Sequence, residues 1–180
     1  MTTWIILFRG INVGGRNRLP MKELVKLLTD NSYTNVRTYI QSGNVVLQSG
    51  KTTAGPVAAH IGKLVSDKHG FRPGVFALRP RELEAVILAN PFPTAGAEPK
   101  SLHLYFLAST PEHPDLAAMA RAKSASESFV LRDRVLYLHA PEGIARSKLA
   151  ARVERLLGVK ATARNWRTVN KMLAMVRELK

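Results

Sequence analysis

Four short stretches of the 180-residue chain carry groups able to do chemistry. The first is Arg9-Gly10-Ile11-Asn12-Val13-Gly14-Gly15-Arg16-Asn17-Arg18. Gly14 and Gly15 leave backbone N–H groups open, the arginines add charge, and a helix begins just beyond, so the stretch suits an anion. The plainer reading is a loop whose glycines supply positive φ. It is neither a phosphate loop nor a dinucleotide fingerprint, because Gly-Lys-Ser/Thr and G-x-G-x-x-G are both absent from it. The second stretch is Gln41-Ser42-Gly43-Asn44, with Tyr39 just before it. Ser, Gly and Asn all make turns for local reasons, but Gln41 and Tyr39 are not demanded by a turn, and their amide and phenol suit the edge of a ligand. The third is Arg146-Ser147-Lys148, two cations around a hydroxyl, placed where a helix is expected to start. The fourth is Arg164-Asn165-Trp166, in which Asn165 is most simply a helix cap and Trp166 a packing residue; a base stacked on Trp166 is the functional alternative.

Other residues offer less. Ser49-Gly50-Lys51-Thr52 resembles the end of a phosphate loop, but six residues rather than four separate it from the upstream Gly43. The five histidines form no i, i+4 pair, and His103 sits on an apolar stretch as a core residue. The thirteen acids make no close pair except Glu82 and Glu84. No dyad, triad or metal cage is legible, catalytic residues are not assignable, and no cofactor is expected. With no cysteine, thiol nucleophiles, disulfide scaffolds and Cys-ligated metals are excluded.

The elements that must position these groups follow from periodicity and breakers. Thr3–Phe8, Tyr33–Ile40 and Asn44–Gln48 read as strands, the last two joined by a hairpin at Ser42-Gly43. Pro20 suits the first position of a helix carrying Leu24, Leu27 and Leu28. Thr53–Lys68 is a helix stopped by Gly70, and Gly74–Leu78 is a fourth strand. A connecting helix, Arg81–Leu88, and a breaker-rich stretch through Asn90-Pro91-Phe92-Pro93 follow. The order then repeats. Strands are expected at Ser101–Leu107, Phe129–Arg132, Val135–His139 and Val159–Thr162, with helices at Pro114–Lys123, Ala145–Leu157 and Trp166–Leu179. The fold expected is therefore α+β, two tandem ferredoxin-like βαββαβ plaits with a connecting helix and a C-terminal helix. The expected boundaries are 1–79 for the first subdomain, 80–100 for the linker and 101–180 for the second.

This topology places Arg9–Leu19 beside Gln41–Asn44 at one sheet edge, and His139–Lys148 beside Arg164–Trp166 at the opposite edge of the second plait. The strands Trp4–Phe8 and Leu102–Leu107 are apolar on both faces, so neither sheet is expected to keep an open, wet face. That disfavours the RNA-recognition plait, which stacks bases on such a face.

Composition sets the class of partner. The chain holds 27 Lys and Arg against 13 Asp and Glu, a net charge of +14, and ten basic residues fall between Ile144 and Lys180. Such a balance favours nucleic acid or a small anionic metabolite, or it is simply a solvated surface. The run Trp4–Phe8, ended by Arg9, is too short for a signal h-region or a membrane span. No membrane association and a cytoplasmic location are expected.

Several of these segments resemble a known family. Arg9 to Asn17, Thr38 to Val46, Asn90-Pro91-Phe92, Leu136-Tyr137-Leu138-His139, Arg146-Ser147-Lys148-Leu149, and Arg164-Asn165-Trp166 with Thr168-Val169 are similar to the motifs of the bacterial domain of unknown function 1697. The resemblance spans nearly the whole chain and departs at Arg16, Ala145 and Arg167, where the family usually carries Lys, Gly and Asn. It implies two plait-like subdomains and brings no established activity, cofactor or catalytic residue. The function expected is binding of an anionic partner, nucleic acid ahead of others, through the Gly-rich loop and the basic edges. The alternatives are an enzyme or sensor for a small phosphorylated or carboxylated metabolite held between the subdomains, and a scaffold whose motifs serve folding alone.

Overall fold

The structure, a computed structural model, describes residues 1–179. The chain divides into two compact units, Met1–Ala85 with 171–180, and Val86–Asn170.

In the first unit, β1 (Thr2–Arg9), β2 (Thr34–Tyr39), β3 (Asn44–Ser49) and β4 (Gly74–Leu78) form one antiparallel sheet in the order β2-β3-β1-β4. Helices α1 (Met21–Thr29) and α2 (Ala54–His69) connect its strands, and α3 (Pro80–Leu88) follows. This is the ferredoxin-like plait that the element order implies. Trp4, Ile6 and Phe8 of β1 alternate onto the helix side, where they pack with Leu24 and Leu28 of α1 and Val57, Ile61 and Val65 of α2. The opposite side of the sheet is buried too: Ile5, Leu7 and Val46 are at most 2% exposed. The indole of Trp4 is held by its N–H donating to the Lys51 carbonyl and by the Arg79 guanidinium 4.3 Å above the ring.

Local signals account for the ends. Pro20 is the N-cap of α1 rather than its first residue, and its carbonyl accepts from the Leu24 N–H. Gly70 closes α2 in the left-handed conformation at φ +75°.

The second unit repeats the topology. Strands β5 (Leu102–Leu107), β6 (Ser128–Arg132), β7 (Val135–His139) and β8 (Ala161–Asn165) take the order β6-β7-β5-β8. Helices α4 (Leu116–Ala122) and α5 (Val153–Leu157) lie between them, and α6 (Trp166–Arg177) follows β8. Tyr105, Leu107, Leu136 and Leu138 pack with Met119, Val153 and Leu157. Leu104, Phe106 and Tyr137 on the other side are again at most 2% exposed, and the Tyr137 hydroxyl donates to the Val86 carbonyl. The face that an RNA-recognition plait keeps for stacking is thus buried in both sheets.

Most elements match the sequence expectation to within two residues, β2 ending at Tyr39 rather than Ile40; two differ by more. The helix expected over Ala145–Leu157 is α-helical only from Val153; residues 145–149 form turns and Ala150–Arg152 a 3₁₀ turn. Leu149, Val153 and Leu157 are buried at helical spacing, which reads as one long helix. The Ser147 hydroxyl, however, accepts from the Ala150 N–H, and this local bond competes with a regular first turn. The last strand begins at Ala161 rather than Val159 and runs through Asn165. Its buried side carries Thr162 and Arg164, polar residues that hide a strand from hydropathy.

His103 of β5 is buried, and its Nδ1 has no hydrogen-bond partner among the described residues. Burial pushes its pKa below the ordinary 6.5, with the Ser101 backbone acting weakly the other way. The folded state therefore holds the neutral ring, and the unfolded chain takes up the proton more readily. Stability from this site is complete above pH 6.5 and falls as pH drops towards the folded value. His103→Leu is expected to shrink the loss of stability between about pH 7 and 5, measured as urea midpoints at the two pH values. An unchanged difference would show that His103 is not the group responsible.

Candidate functional site

The register fixes the first edge. Leu7 of β1 pairs with Asn44, Tyr39 of β2 pairs with Asn44, and Arg9 pairs with Gly74. The ends of β1 and β2 and the starts of β3 and β4 therefore lie side by side. The loop after β1 and the β2–β3 turn meet there, as the topology requires: the Phe8 N–H donates to the Gly43 carbonyl at 2.8 Å, and Asn12 Nδ2 donates to the Gln41 carbonyl at 2.7 Å.

The loop after β1 is itself a small hairpin. Val13 and Arg16 form an isolated antiparallel bridge, and the Arg16 N–H donates to the Val13 carbonyl at 3.1 Å. Gly14 and Gly15 between them both have positive φ, +58° and +73°, the signature of a type I′ turn. Asn12 staples its base. Asn12 Nδ2 also donates to the Leu19 carbonyl at 2.9 Å, while Asn12 Oδ1 accepts from the Leu19 N–H at 2.8 Å. Asn17 Nδ2 donates to the Gly10 carbonyl. Asn44 is fully buried, its Nδ2 donating to the Tyr39 carbonyl and the Ser42 hydroxyl. The amides of Asn12, Asn17 and Asn44 thus hold the backbone.

What this frame presents outward is different. Val13, Gly14, Gly15, Arg16, Arg18, Ile40 and Gln41 are exposed, as is Arg72 just before β4. Arg9 and Tyr39 are half-buried. No hydrogen bond or ion pair engages the side chains of Arg16, Arg18 or Arg72, or the N–H groups of Gly14 and Gly15, among the described residues. Residues 9–20, 39–44 and 70–74 contain no acid. The nearest ones along the chain, Glu23 and Asp67, lie 4.0 Å from His69 and 2.6 Å from Lys63.

The second unit brings its two stretches to one edge as well. His139 pairs with Leu102 and with Ser128, and Asn165 pairs with His103. Here most candidates serve the fold. The Ser147 hydroxyl is buried and accepts from Ala150, and Asn165 Oδ1 caps α6 by accepting from the Thr168 N–H. Arg164 is buried, donates to Thr162 Oγ1 and the Ala163 carbonyl, and has its pKa lowered by desolvation to about 10. Trp166 is half-buried. Arg146 and Lys148 are exposed, but they lie in turns rather than at an α-helix start, so no helix dipole acts on them there.

Two residues of the first edge, Ile40 and Arg72, are absent from the four chemistry-bearing stretches of the sequence. Ile40 reads in the sequence as the last residue of a strand, so no local signal marks it. For Arg72, the signal is a cation just ahead of the strand that pairs with Arg9. Among the described residues, no group of three His, Cys, Asp or Glu side chains is placed to hold a metal ion. No helix among them is long and apolar enough to cross a membrane.

Comparison with known proteins bears on family and fold. The family model described as protein of unknown function (DUF1697) matches residues 1–137. That span contains the whole first-unit edge; Arg146–Lys148 and Arg164–Trp166 lie beyond it. Among solved structures, the chain is similar to the conserved bacterial protein SP0830 from Streptococcus pneumoniae, with a TM-score of 0.66 and 22% identity over 97% of this chain and 98% of that one. At that identity the likeness speaks for fold. None of the curated proteins matches the chain.

Proposed function

The chain belongs to the DUF1697 family of proteins of unknown function, and we propose that it is a cytoplasmic protein binding an anionic partner, nucleic acid foremost, at the first unit's loop edge. The observation that carries this reading is a division of labour. The polar side chains suited to building the loop, Asn12, Asn17 and Asn44, are spent on its backbone. Arg16, Gly14, Gly15, Arg18 and Arg72 are exposed, in segments that contain no acid. No hydrogen bond or ion pair within the fold uses these three arginines among the described residues. Fixing the loop before binding lowers the ordering cost of association, and arginine offers a fork of donors that matches phosphate.

Arg146 and Lys148 supply a second, weaker cationic rim on the second unit. The alternative, a closed metabolite site lined by Asn12 and Asn44, is less well supported, since both side-chain NH₂ groups already have partners.

The test is fluorescence anisotropy with labelled oligonucleotides across a salt series. Each arginine released from a phosphate lowers the salt slope, so Arg16→Ala/Arg18→Ala is expected to weaken binding and flatten log Kd against log salt by about 1.5. Arg146→Ala/Lys148→Ala is expected to change both less. Equal behaviour of the two double variants would mean that only net charge matters, and the assignment to the first edge would be wrong.

A further inference from the structure

Ile40 is placed where an isoleucine costs the fold twice. Its φ is +51°, the left-handed region, which a β-branched side chain disfavours and which glycine or asparagine enters easily. Its side chain is also 53% exposed, so little packing offsets the strain. Val13, which flanks the Gly14-Gly15 turn, shares the exposure without the strain: it is 70% exposed. The two belong together. The Asn12–Gln41 hydrogen bond at 2.7 Å joins the residue before Val13 to the residue after Ile40. The three segments that build the edge carry the exposed Arg16, Arg18 and Arg72 and contain no acid. Strain held at an exposed apolar residue, on a rim that also carries three arginines, points to a contact surface.

We propose that Val13 and Ile40 are the apolar half of this surface, and that the partner is single-stranded nucleic acid, its bases lying on the two aliphatic side chains while the arginines reach its phosphates. This rests on the anion-binding reading of the same edge and adds the partner's form. A duplex turns its phosphates outward and keeps its base faces stacked inside, so exposed aliphatic tips meet little apolar surface on it. A single strand offers both, phosphates along one side and unstacked base faces along the other. The charge complementarity selects the polyanion, and the apolar tips select its unpaired form.

The experiment uses Ile40→Asn, Val13→Ser and Arg16→Ala/Arg18→Ala in the full chain. Three labelled probes are titrated at about 0.15 M salt: an oligodeoxythymidine of about twelve nucleotides, a duplex of the same length, and an acidic peptide carrying apolar residues. Wild type is expected to favour the single strand over the duplex. Ile40→Asn is expected to lose about tenfold in affinity for the single strand while its weaker duplex binding is unchanged. Because asparagine relaxes the backbone strain, the same variant is expected to melt about 2–4 °C higher. A residue with a merely structural role would move both readouts downward together. Val13→Ser is expected to lose affinity without that gain in melting temperature.

The outcomes that overturn the proposal are separable. If the apolar variants bind like wild type while Arg16→Ala/Arg18→Ala fails, the edge is an anion site and the inference about bases is wrong. If wild type binds neither oligonucleotide, the anion-binding reading falls with it. If the peptide outcompetes both, the surface serves a protein partner. A lower melting temperature for Ile40→Asn would show that Ile40 supports packing.

Discussion

Gly43→Ala is expected to destabilise the first unit by about 2–5 kcal/mol, a large part of a typical domain's stability. Two independent terms add. Gly43 has φ +74°, where a residue with a Cβ costs about 1–2 kcal/mol. A Cβ there would also lie 2.6 Å from Phe8 Cβ and 2.6 Å from Ile11 Cδ1, closer than carbon atoms approach, in a core where overpacking costs about 1–3 kcal/mol. Phe8 Cβ does not yield easily: it is fixed to a backbone whose N–H is bonded to the Gly43 carbonyl itself, in a buried residue. Gly14 and Gly15 supply the control. Both have positive φ, but a Cβ at either would meet nothing within 4 Å, so Gly14→Ala and Gly15→Ala carry the conformational cost alone. Urea denaturation of the three variants separates the terms. Equal losses would mean that the close approach at Gly43 is relieved by a small shift.

Asn12→Ala comes second in size, about 2–4 kcal/mol, from three hydrogen bonds at roughly 1 kcal/mol each and a left-handed φ of +53° that alanine tolerates less well than asparagine. The side chain closes the loop between β1 and α1 and ties it to the β2–β3 turn, so its loss frees both. Hydrogen exchange at the Leu19 N–H is expected to accelerate with the drop in stability. Asn12→Asp is expected to do at least as much damage at neutral pH. Its carboxylate keeps the bond from the Leu19 N–H but sets an anion against the Leu19 and Gln41 carbonyl oxygens, where two donors stood. If Asn12→Asp were as stable as the native chain, the side chain would not be placed as described.

Much of this architecture is legible from periodicity and breakers. The β1, β3 and β4 segments, the stop at Gly70 and the capping role of Asn165 all follow from local chemistry. The meeting of the Arg9–Leu19 loop with the Gln41–Asn44 turn follows from the plait's connectivity. What periodicity cannot separate is the part each polar residue plays. Asparagine suits a left-handed turn and a ligand contact equally well, so Asn12, Asn17 and Asn44 read as binding residues until their hydrogen bonds are seen. The same holds for Ser147, whose hydroxyl shortens a helix that the spacing of Leu149, Val153 and Leu157 predicts to be longer. Arg164 reads as a surface cation because arginine is seldom buried, yet it lies inward on β8. Ile40 is hidden for the opposite reason: an isoleucine at the end of a strand looks like core, and its exposure and left-handed backbone are properties of the folded turn.

If an anionic partner binds at the first unit's loop edge, the amides of that edge will report it. The ¹⁵N-labelled chain is titrated with a short single-stranded oligonucleotide at physiological salt, and the chemical shifts are followed residue by residue. Perturbations concentrated in residues 9–20, 39–44 and 70–74, with Gly14, Gly15 and Arg16 among the largest, are the expected result. Saturable binding that leaves those amides unmoved, with the shifts gathered around Arg146 and Lys148 or scattered over the surface, would place the partner elsewhere and refute the assignment.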